Sequence, residues 1–488
     1  MDIKKYIKTF DRYFQQNKLN SVRNICYFNI EEAIFSECRK LPSDINLIVT
    51  IPCYDDQEVF KALDSLAQNT TEEGLYYIFV LVNFSENLSL EIKERNINLY
   101  KTLVEYASKS PLFIKVFSAF DLPLKLSGVG VARKLLMDAA AYYYYINNRF
   151  NGIITSTDAD TLFSKNYCDT IVNILRDDNV SGISINFEHR IEGVEACYRE
   201  AITKYELYMR YYRMALLWCG HPYYYSCIGS AIATNAKDYV AQGGMSKKTA
   251  GEDFYFIQKL ISTNRFTETS DTKVFPSARL SERTPFGTGR AIKEISENND
   301  NYLVFSPYSF VILKDFFDKI VVLCKAISKD SSKNPSKKIG NSIAKKVAID
   351  ENISNNLYKG DDIGEERGKR IGKDTRLYGE SDLYILSQVL YSDLHPYLRE
   401  CTSLLDLNKI IFDAYRNTSS ENKLIQRFFY NFNALKVLQC LNLMHKENIE
   451  RVDVFDALNS FLYKFGNMSF SNVYDMLEYL RLNDRRLV

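Results

Sequence analysis

The sequence predicts an α/β fold, a Rossmann-like and mainly parallel sheet flanked by helices, with a C-terminal region that is all helical. Three observations predict it. Short apolar runs rich in β-branched residues alternate with segments of helical length from residue 45 to residue 160. Those runs are continuously apolar, as strands covered on both faces are, and do not alternate with polar residues. From about residue 301 the character shifts to helical periodicity.

Residues 1–40 read as short helices, an N-terminal extension. The first strand is "INLIVTIPCY" (45–54), which ends in a Pro-containing loop. "DDQEVFKALDSLAQNT" follows, with Asp as a helix cap and apolar residues at helical spacing. A second strand, "YYIFVLVNF" (76–84), leads into a helix near 88–108, and a third, "LFIKVFSAF" (112–120), leads into "GVGVARKLLMDAAAYYYYINN", a helix opened by glycines. The four tyrosines at 142–145 wrap all sides of that helix, which assigns them to packing. The fourth strand, "NGIITSTDAD", closes on Asp158 and Asp160.

After residue 180 the order changes. "SGISINFEHR" and "SCIGSAIATNA" read as strands separated by a Tyr-rich helix (195–218). "GEDFYFIQKLI" (251–261) starts a helix, and "TKVFPSARLSERTPFGTGRA" is extended and then a loop. This places one domain at 41–300 and a helical one at 301–488, within which residues 327–377 have the polar composition of a mobile linker.

Composition excludes several classes. With 62 basic and 61 acidic residues the net charge is +1, which argues against nucleic-acid binding by bulk electrostatics. The N-terminus is charged throughout and lacks an apolar signal core, so the sequons at Asn69, Asn179 and Asn417 carry little weight. No window approaches a membrane span. The ten cysteines lack zinc spacing and read as reduced thiols, so a cytoplasmic protein is expected. The lysine-rich stretch 329–346 reads as a solvated linker, with peripheral contact to an anionic inner membrane face as the alternative.

"DAD" at 158–160 poses the chemical question. Asp is common where strands stop. Residues i and i+2 of an extended chain, however, project to one side, and ligands of parallel sheets bind beyond the carboxyl ends of the strands. Two carboxylates there suit a metal site, with a plain strand-end turn as the alternative.

In order along the chain stand "VTIPCYDD", "LVNFSEN", "GVGVARK", "DAD", "IGS", "GGMSKKTAGEDFYF" and "ERTPFGTGRA". No one of these is specific alone. As an ordered set, over roughly residues 45–292, it resembles the family 2 glycosyltransferases of GT-A fold, and in particular bacterial members carrying DAD, GED and R-x-PFGTG motifs. The resemblance implies metal-dependent, inverting transfer of a sugar from a UDP- or GDP-linked donor to a hydroxyl acceptor of unknown identity. It implies Asp160 as the most direct metal ligand and Asp158 on ribose or metal-bound water. Asp253 corresponds to the catalytic base, with Glu252 beside it orienting base or acceptor. The helix start is expected to keep Asp253 ionised.

Pro52, Cys53, Tyr54 and Asp55 match the loop that holds the donor's base, and Asn83 stands where many relatives have an Asp that reads uracil. An amide both donates and accepts, which leaves uridine and guanosine open. Gly130, Arg133 and Lys134 match the donor-binding helix start, and Arg283 and Arg290, with Arg279, lie on a Gly-bearing stretch suited to a diphosphate. His221, Gly229 and Ser230 are the acceptor-side candidates, and His189 a weaker one. The QxxRW-type motif of polymerising relatives is missing. The C-terminal helices are open to roles in acceptor shaping, oligomer contacts or partner contacts.

Two other readings stand beside this one. A nucleotidyltransferase also joins an α/β sheet to acidic metal ligands, but its first loop is Gly-rich and basic where this one is "PCYDD". A non-catalytic sugar-nucleotide-binding scaffold would have no need of Asp158, Asp160 and Asp253 together. Hydride transfer fails for want of G-x-G-x-x-G after the first strand.

Overall fold

The structure, a computed structural model, describes residues 3–69, 75–247, 251–280, 287–298, 301–328, 390, 393–446 and 449–485. Arg283, the lysine run at 329–346 and nearly all of the polar stretch 327–377 lie outside the described residues. The chain divides into two compact units: Met1–Met209 with Tyr225–Asn301 and Val473–Arg485, and Arg210–Tyr224 with Tyr302–Asn472 and Arg486–Val488.

The first unit opens with helices α1 (Ile3–Ser21) and α2 (Ile25–Cys38), longer than the short helices the sequence suggests. Then come β1 (Ile45–Cys53), α3 (Val59–Leu66), β2 (Leu75–Ser85), α4 (Leu90–Lys109), β3 (Ile114–Leu122), α5 (Val129–Ile146) and β4 (Ile153–Ser156). They are followed by β5 (Leu162–Phe163), α6 (Tyr167–Leu175), β6 (Gly182–Phe187), α7 (Ala196–Trp218, whose residues from Arg210 on count with the second unit), β7 (Ile232–Asn235), α8 (Ala236–Ala241), α9 (Glu252–Ile261), β8 (Phe266–Phe275) and α10 (Thr288–Glu297).

The eight strands form one sheet in the order β3-β2-β1-β4-β7-β6-β8-β5. β3, β2, β1 and β4 run parallel; β7 pairs antiparallel with β4 and with β6, β8 runs parallel to β6, and β5 closes the edge antiparallel to β8. The sheet is therefore mainly parallel with two reversed strands. The reversal at β7 matters for the site. Ile232 pairs with Ser156, so the residues just before β7 arrive at the same rim as the end of β4.

β1, β4 and β6 are buried almost throughout, as expected of strands covered on both faces. On one face Leu47, Val49, Ile51, Ile78 and Val80 pack with Val59, Leu63 and Leu66 of α3 and Ile171 and Val172 of α6. On the other, α5 lies under the N-terminal helices. The tyrosine run serves packing: Tyr142 stacks on Phe35 at 4.3 Å, Tyr143 donates to the Pro42 carbonyl, Tyr144 donates to the Ile153 carbonyl at 2.9 Å, and Tyr145 donates to Asp11. Successive residues of a helix point about 100° apart, which is why each ring finds a different neighbour.

The helix Val473–Asn483 also belongs to this unit, although it lies near the end of the chain. Its Arg481 donates to both oxygens of the buried Glu206 (2.9 and 3.0 Å) and to the His189 carbonyl (2.9 Å).

The second unit is helical, as its sequence predicts. Pro307–Ile327, Pro396–Leu404, Leu407–Arg416, Glu421–Asn431, Ala434–Lys446 and Val454–Gly466 are its described helices, and Leu303–Val304 pairs with Val452–Asp453 in a short antiparallel ribbon. Phe316, Phe317, Phe428 and Phe432 fill its core with ring-to-ring contacts. Among the described residues no helix is long and apolar enough to cross a membrane.

Candidate functional site

The site gathers at the carboxyl ends of β1, β2 and β4. The β4 backbone carries Asp158 and Asp160 out of the sheet two residues apart. α5 enters from the same rim. Its first residue follows Gly128, an N-cap in extended conformation, and the helix is buried along most of its length. Arg133, one turn in, is only 5% exposed. Its guanidinium donates through Nη2 to Asp158 and through Nη1 to Glu252. Burial opposes its charge, but Asp158, Glu252 and Asp253 together hold it well above the ordinary arginine value.

α9 brings the second pair of acids. It starts after Gly251, whose φ of 73° lies in the left-handed region that favours glycine. Glu252 is buried and turned to Arg133. Asp253 lies within electrostatic reach of Arg133 and of Asp158. Burial pushes both carboxyls above the usual range, against the pull of Arg133. The backbone N–H groups of Asp253 and Phe254 at the helix start do pull the Asp253 value down, as expected of a helix start, but burial outweighs them. A raised value makes a stronger base once the proton is gone.

The "IGS" turn explains how Arg133 is seated. A Cβ on Gly229 would fall 2.3 Å from Nη1, 2.4 Å from Cζ and 2.5 Å from Nη2 of Arg133. Gly229 thus leaves the room in which the guanidinium sits, and Ser230 beside it is buried.

The third acid cluster lies after β1. Asp55 has φ 48° and turns outward to Arg95 at 2.7 Å, while its N–H donates to Asn96 at 2.8 Å. Asp56 turns inward, is buried, and pairs with Arg279. Arg279 also lies 3.1 Å from Asp160. Arg190 donates to the Asp160 carbonyl at 2.8 Å and pairs with Glu58 at 3.2 Å. Burial and the Asp158 charge push the Asp160 carboxyl up to about 6, against Arg279.

The remaining sequence candidates fall as follows. Pro52 and Cys53 are buried in the last residues of β1, with Tyr54 next after it. Asn83 is buried at the end of β2 and donates to the Ser127 carbonyl at 2.8 Å, tying that strand end to the glycine turn before α5. Gly130 lies buried in the first turn of α5. Lys134 faces away from its neighbour Arg133, reaching Asp138 at 2.7 Å and the Tyr13 hydroxyl at 3.2 Å. Arg290 donates to Glu294 at 2.6 Å on half-exposed α10.

His221 is buried in the second unit. Its Nε2 donates to the Phe432 carbonyl at 3.0 Å and its Nδ1 accepts from the Tyr223 amide at 3.3 Å, so both ring nitrogens are engaged in a core contact. Burial lowers its pKa to about 4. His189 is held by Glu206 at 3.1 Å through Nδ1 and lies 3.2 Å from the Thr288 hydroxyl through Nε2.

Asp56 and Arg190 join the site without a sequence signal of their own. Asp56 follows Asp55, and only the left-handed turn at Asp55 decides which of the two points inward. Arg190 stands in "NFEHR", where a lone arginine has the look of a surface charge.

The donor set fits a divalent ion shared with a ligand. Among the described residues no group of three or more His, Cys, Asp or Glu side chains could hold a metal by itself. Asp158 and Asp160 offer a two-carboxylate platform, the type that Mg²⁺ and Mn²⁺ use when phosphate oxygens and water complete the shell.

No family model matches the chain, and no curated protein does. Solved structures do align with it. S. aureus TarS 1–349 in complex with UDP-GlcNAc is 12% identical over 79% of this chain and 89% of that one, with a TM-score of 0.35. GalNAc-T7 with UDP, GalNAc and Mn²⁺ is 12% identical over 52% of this chain and 48% of that one, at 0.32. The mannosyltransferase PcManGT from Pyrobaculum calidifontis, in complex with GDP-Man and Mn²⁺, is 12% identical over 72% and 93%, at 0.31. At such scores the chain's function has to be read from its own residues.

Proposed function

We propose that this chain is a metal-dependent, inverting glycosyltransferase of the family 2, GT-A type. It would move a sugar from a UDP- or GDP-linked donor to a hydroxyl acceptor. One observation carries the reading: Arg133 joins Asp158, from the end of β4, to Glu252, at the start of α9, and so holds the metal-site acids and the Glu252–Asp253 pair in one constellation.

The chemistry assigned to each group is as follows. The acceptor oxygen forms a bond to the anomeric carbon as the bond from that carbon to the diphosphate oxygen breaks. Asp253 takes the acceptor's proton, and its raised basicity suits the task. Glu252, fixed by Arg133, sets the start of α9 and with it the place of Asp253. Mg²⁺ or Mn²⁺ held by Asp160 and Asp158 supplies Lewis-acid neutralisation of the departing nucleoside diphosphate. The base of the donor is assigned to the loop after β1 and to Asn83, whose amide N–H donates to the Ser127 carbonyl.

A thermal-shift screen of UDP-, GDP- and dTDP-sugars with and without Mn²⁺ tests this reading. Stabilisation by one nucleotide class, dependent on the metal, supports it. Stabilisation by nucleoside triphosphates alone would favour nucleotidyl transfer and overturn it.

A further inference from the structure

Arg279 holds a charge at the point where the transferase reading places a metal ligand. Its guanidinium pairs with Asp56 and lies 3.1 Å from the Asp160 carboxylate. The two acids do not hold it alike. The Asp56 side chain is 5% exposed, whereas that of Asp160 is 25% exposed and open to exchange. A guanidinium presents five N–H donors in a rigid fork. Both acids are met by the same nitrogen, Nη2, whose two N–H groups let one stay on Asp56 while the other changes partner. Arg190 secures the Asp160 backbone independently, through the carbonyl, so releasing the side chain does not free the strand end.

We propose that Arg279 is the resident cation of the donor site. In the metal-free protein it neutralises Asp160. With a divalent ion on Asp160, Arg279 would stay anchored on Asp56 through Nη2 and turn the freed N–H of that nitrogen to the diphosphate. The charges balance: the incoming ion replaces the guanidinium at Asp160, and the incoming diphosphate replaces Asp160 at the guanidinium. Asp56 is then a positioning residue, and Arg279 selects donors that carry a diphosphate. This inference rests on the transferase reading.

The exchange predicts effects of opposite sign. In Arg279→Met the competitor for Asp160 is gone, so Mn²⁺ alone, followed by the electron paramagnetic resonance of the free ion, binds the full chain about tenfold more tightly. The same variant lacks a charge-assisted partner for phosphate, so UDP and GDP at saturating Mn²⁺ bind at least about tenfold more weakly by calorimetry. Arg279→Lys keeps a competing charge, and its affinity for Mn²⁺ alone stays within about threefold of wild type. Arg279→Gln replaces the Met variant if the latter fails to fold, with the same expectation.

A purely structural role would weaken both affinities together. That result, or an unchanged affinity for Mn²⁺ alone, overturns the proposal. If the wild type binds Mn²⁺ but neither UDP nor GDP, the transferase reading falls, while the manganese titration still decides whether Arg279 occupies Asp160.

Discussion

Replacing Gly229 by Ala probes the constellation without touching a charged group. The backbone there needs no left-handed conformation, so the cost is one of space. The added Cβ would stand 2.3–2.5 Å from three atoms of the Arg133 guanidinium. Ordinary carbon contacts lie at about 3.5–4 Å, so the guanidinium has to retreat by about 1 Å or more. Both of its terminal nitrogens are already committed, one to Asp158 and one to Glu252. Glu252 has no route to water, because its side chain is 2% exposed.

Breaking a buried ion pair costs about 3–5 kcal/mol. We expect Gly229→Ala to lose about 3 kcal/mol, the low end, because Arg133 is a flexible side chain that can keep one partner. For a domain of this size that is a fall of about 6–12 °C in melting temperature. The assay is scanning calorimetry on wild type, Gly229→Ala, Arg133→Met and the double variant. If the clash acts through Arg133, the double variant is no less stable than Arg133→Met alone. A melting temperature within about 2 °C of wild type for Gly229→Ala, or strictly additive losses in the double variant, would refute the reasoning.

Asp253→Asn should keep metal-dependent donor binding and lose transfer by about 10²-fold or more, measured as nucleoside diphosphate release with an acceptor present; full turnover would remove Asp253 from the mechanism. Glu31, on the buried face of α2, has its carboxyl pushed from 4.5 up to about 7 by burial and by the charge of Asp138, against Lys134 and Lys247. An acid whose value is raised on folding costs nothing below 4.5, and its penalty grows as pH climbs through 7. At about 1.4 kcal/mol per pH unit the gap amounts to about 3 kcal/mol. Glu31→Gln should therefore match wild type near pH 4.5 and exceed it by up to about 3 kcal/mol near pH 8 in denaturant titrations; equal stability at both ends would contradict this. Tyr144→Phe should lose about 1 kcal/mol in the same titrations, since it removes only the hydrogen bond to the Ile153 carbonyl and leaves the ring in place; a larger loss would mean the hydroxyl does more.

The parallel half of the sheet was legible because β1, β2 and β4 are continuous apolar runs, a pattern that only two-sided burial explains. The antiparallel turn at β7 was not, because pairing direction leaves no trace in a four-residue run. Among the site residues, Asp158, Asp160, Glu252 and Asp253 could be picked out by type and order. Which neighbours face them could not. Arg133 and Lys134 are adjacent on one helix, and the angular step of the helix sends the first to Asp158 and the second to Asp138. Of the described arginines between 279 and 290, Arg279 reaches Asp160, while Arg290 pairs along its own helix with Glu294. His221 is a rare histidine near "IGS", and the rings that enclose it, Phe317 and Phe429 with Tyr223, are mostly distant in the sequence, so its core role had little local signal. Burial, which raises Asp253, depends on residues far from it in sequence and had no local signal.

Isothermal titration of UDP- and GDP-sugars into wild type and Asp160→Ala, each with Mn²⁺ and then with EDTA, asks the central question directly. The account predicts binding to the wild type with Mn²⁺ that is lost with EDTA, and no such metal-dependent binding to Asp160→Ala. Equal donor affinity in the two proteins, or in the wild type with and without the ion, would contradict it.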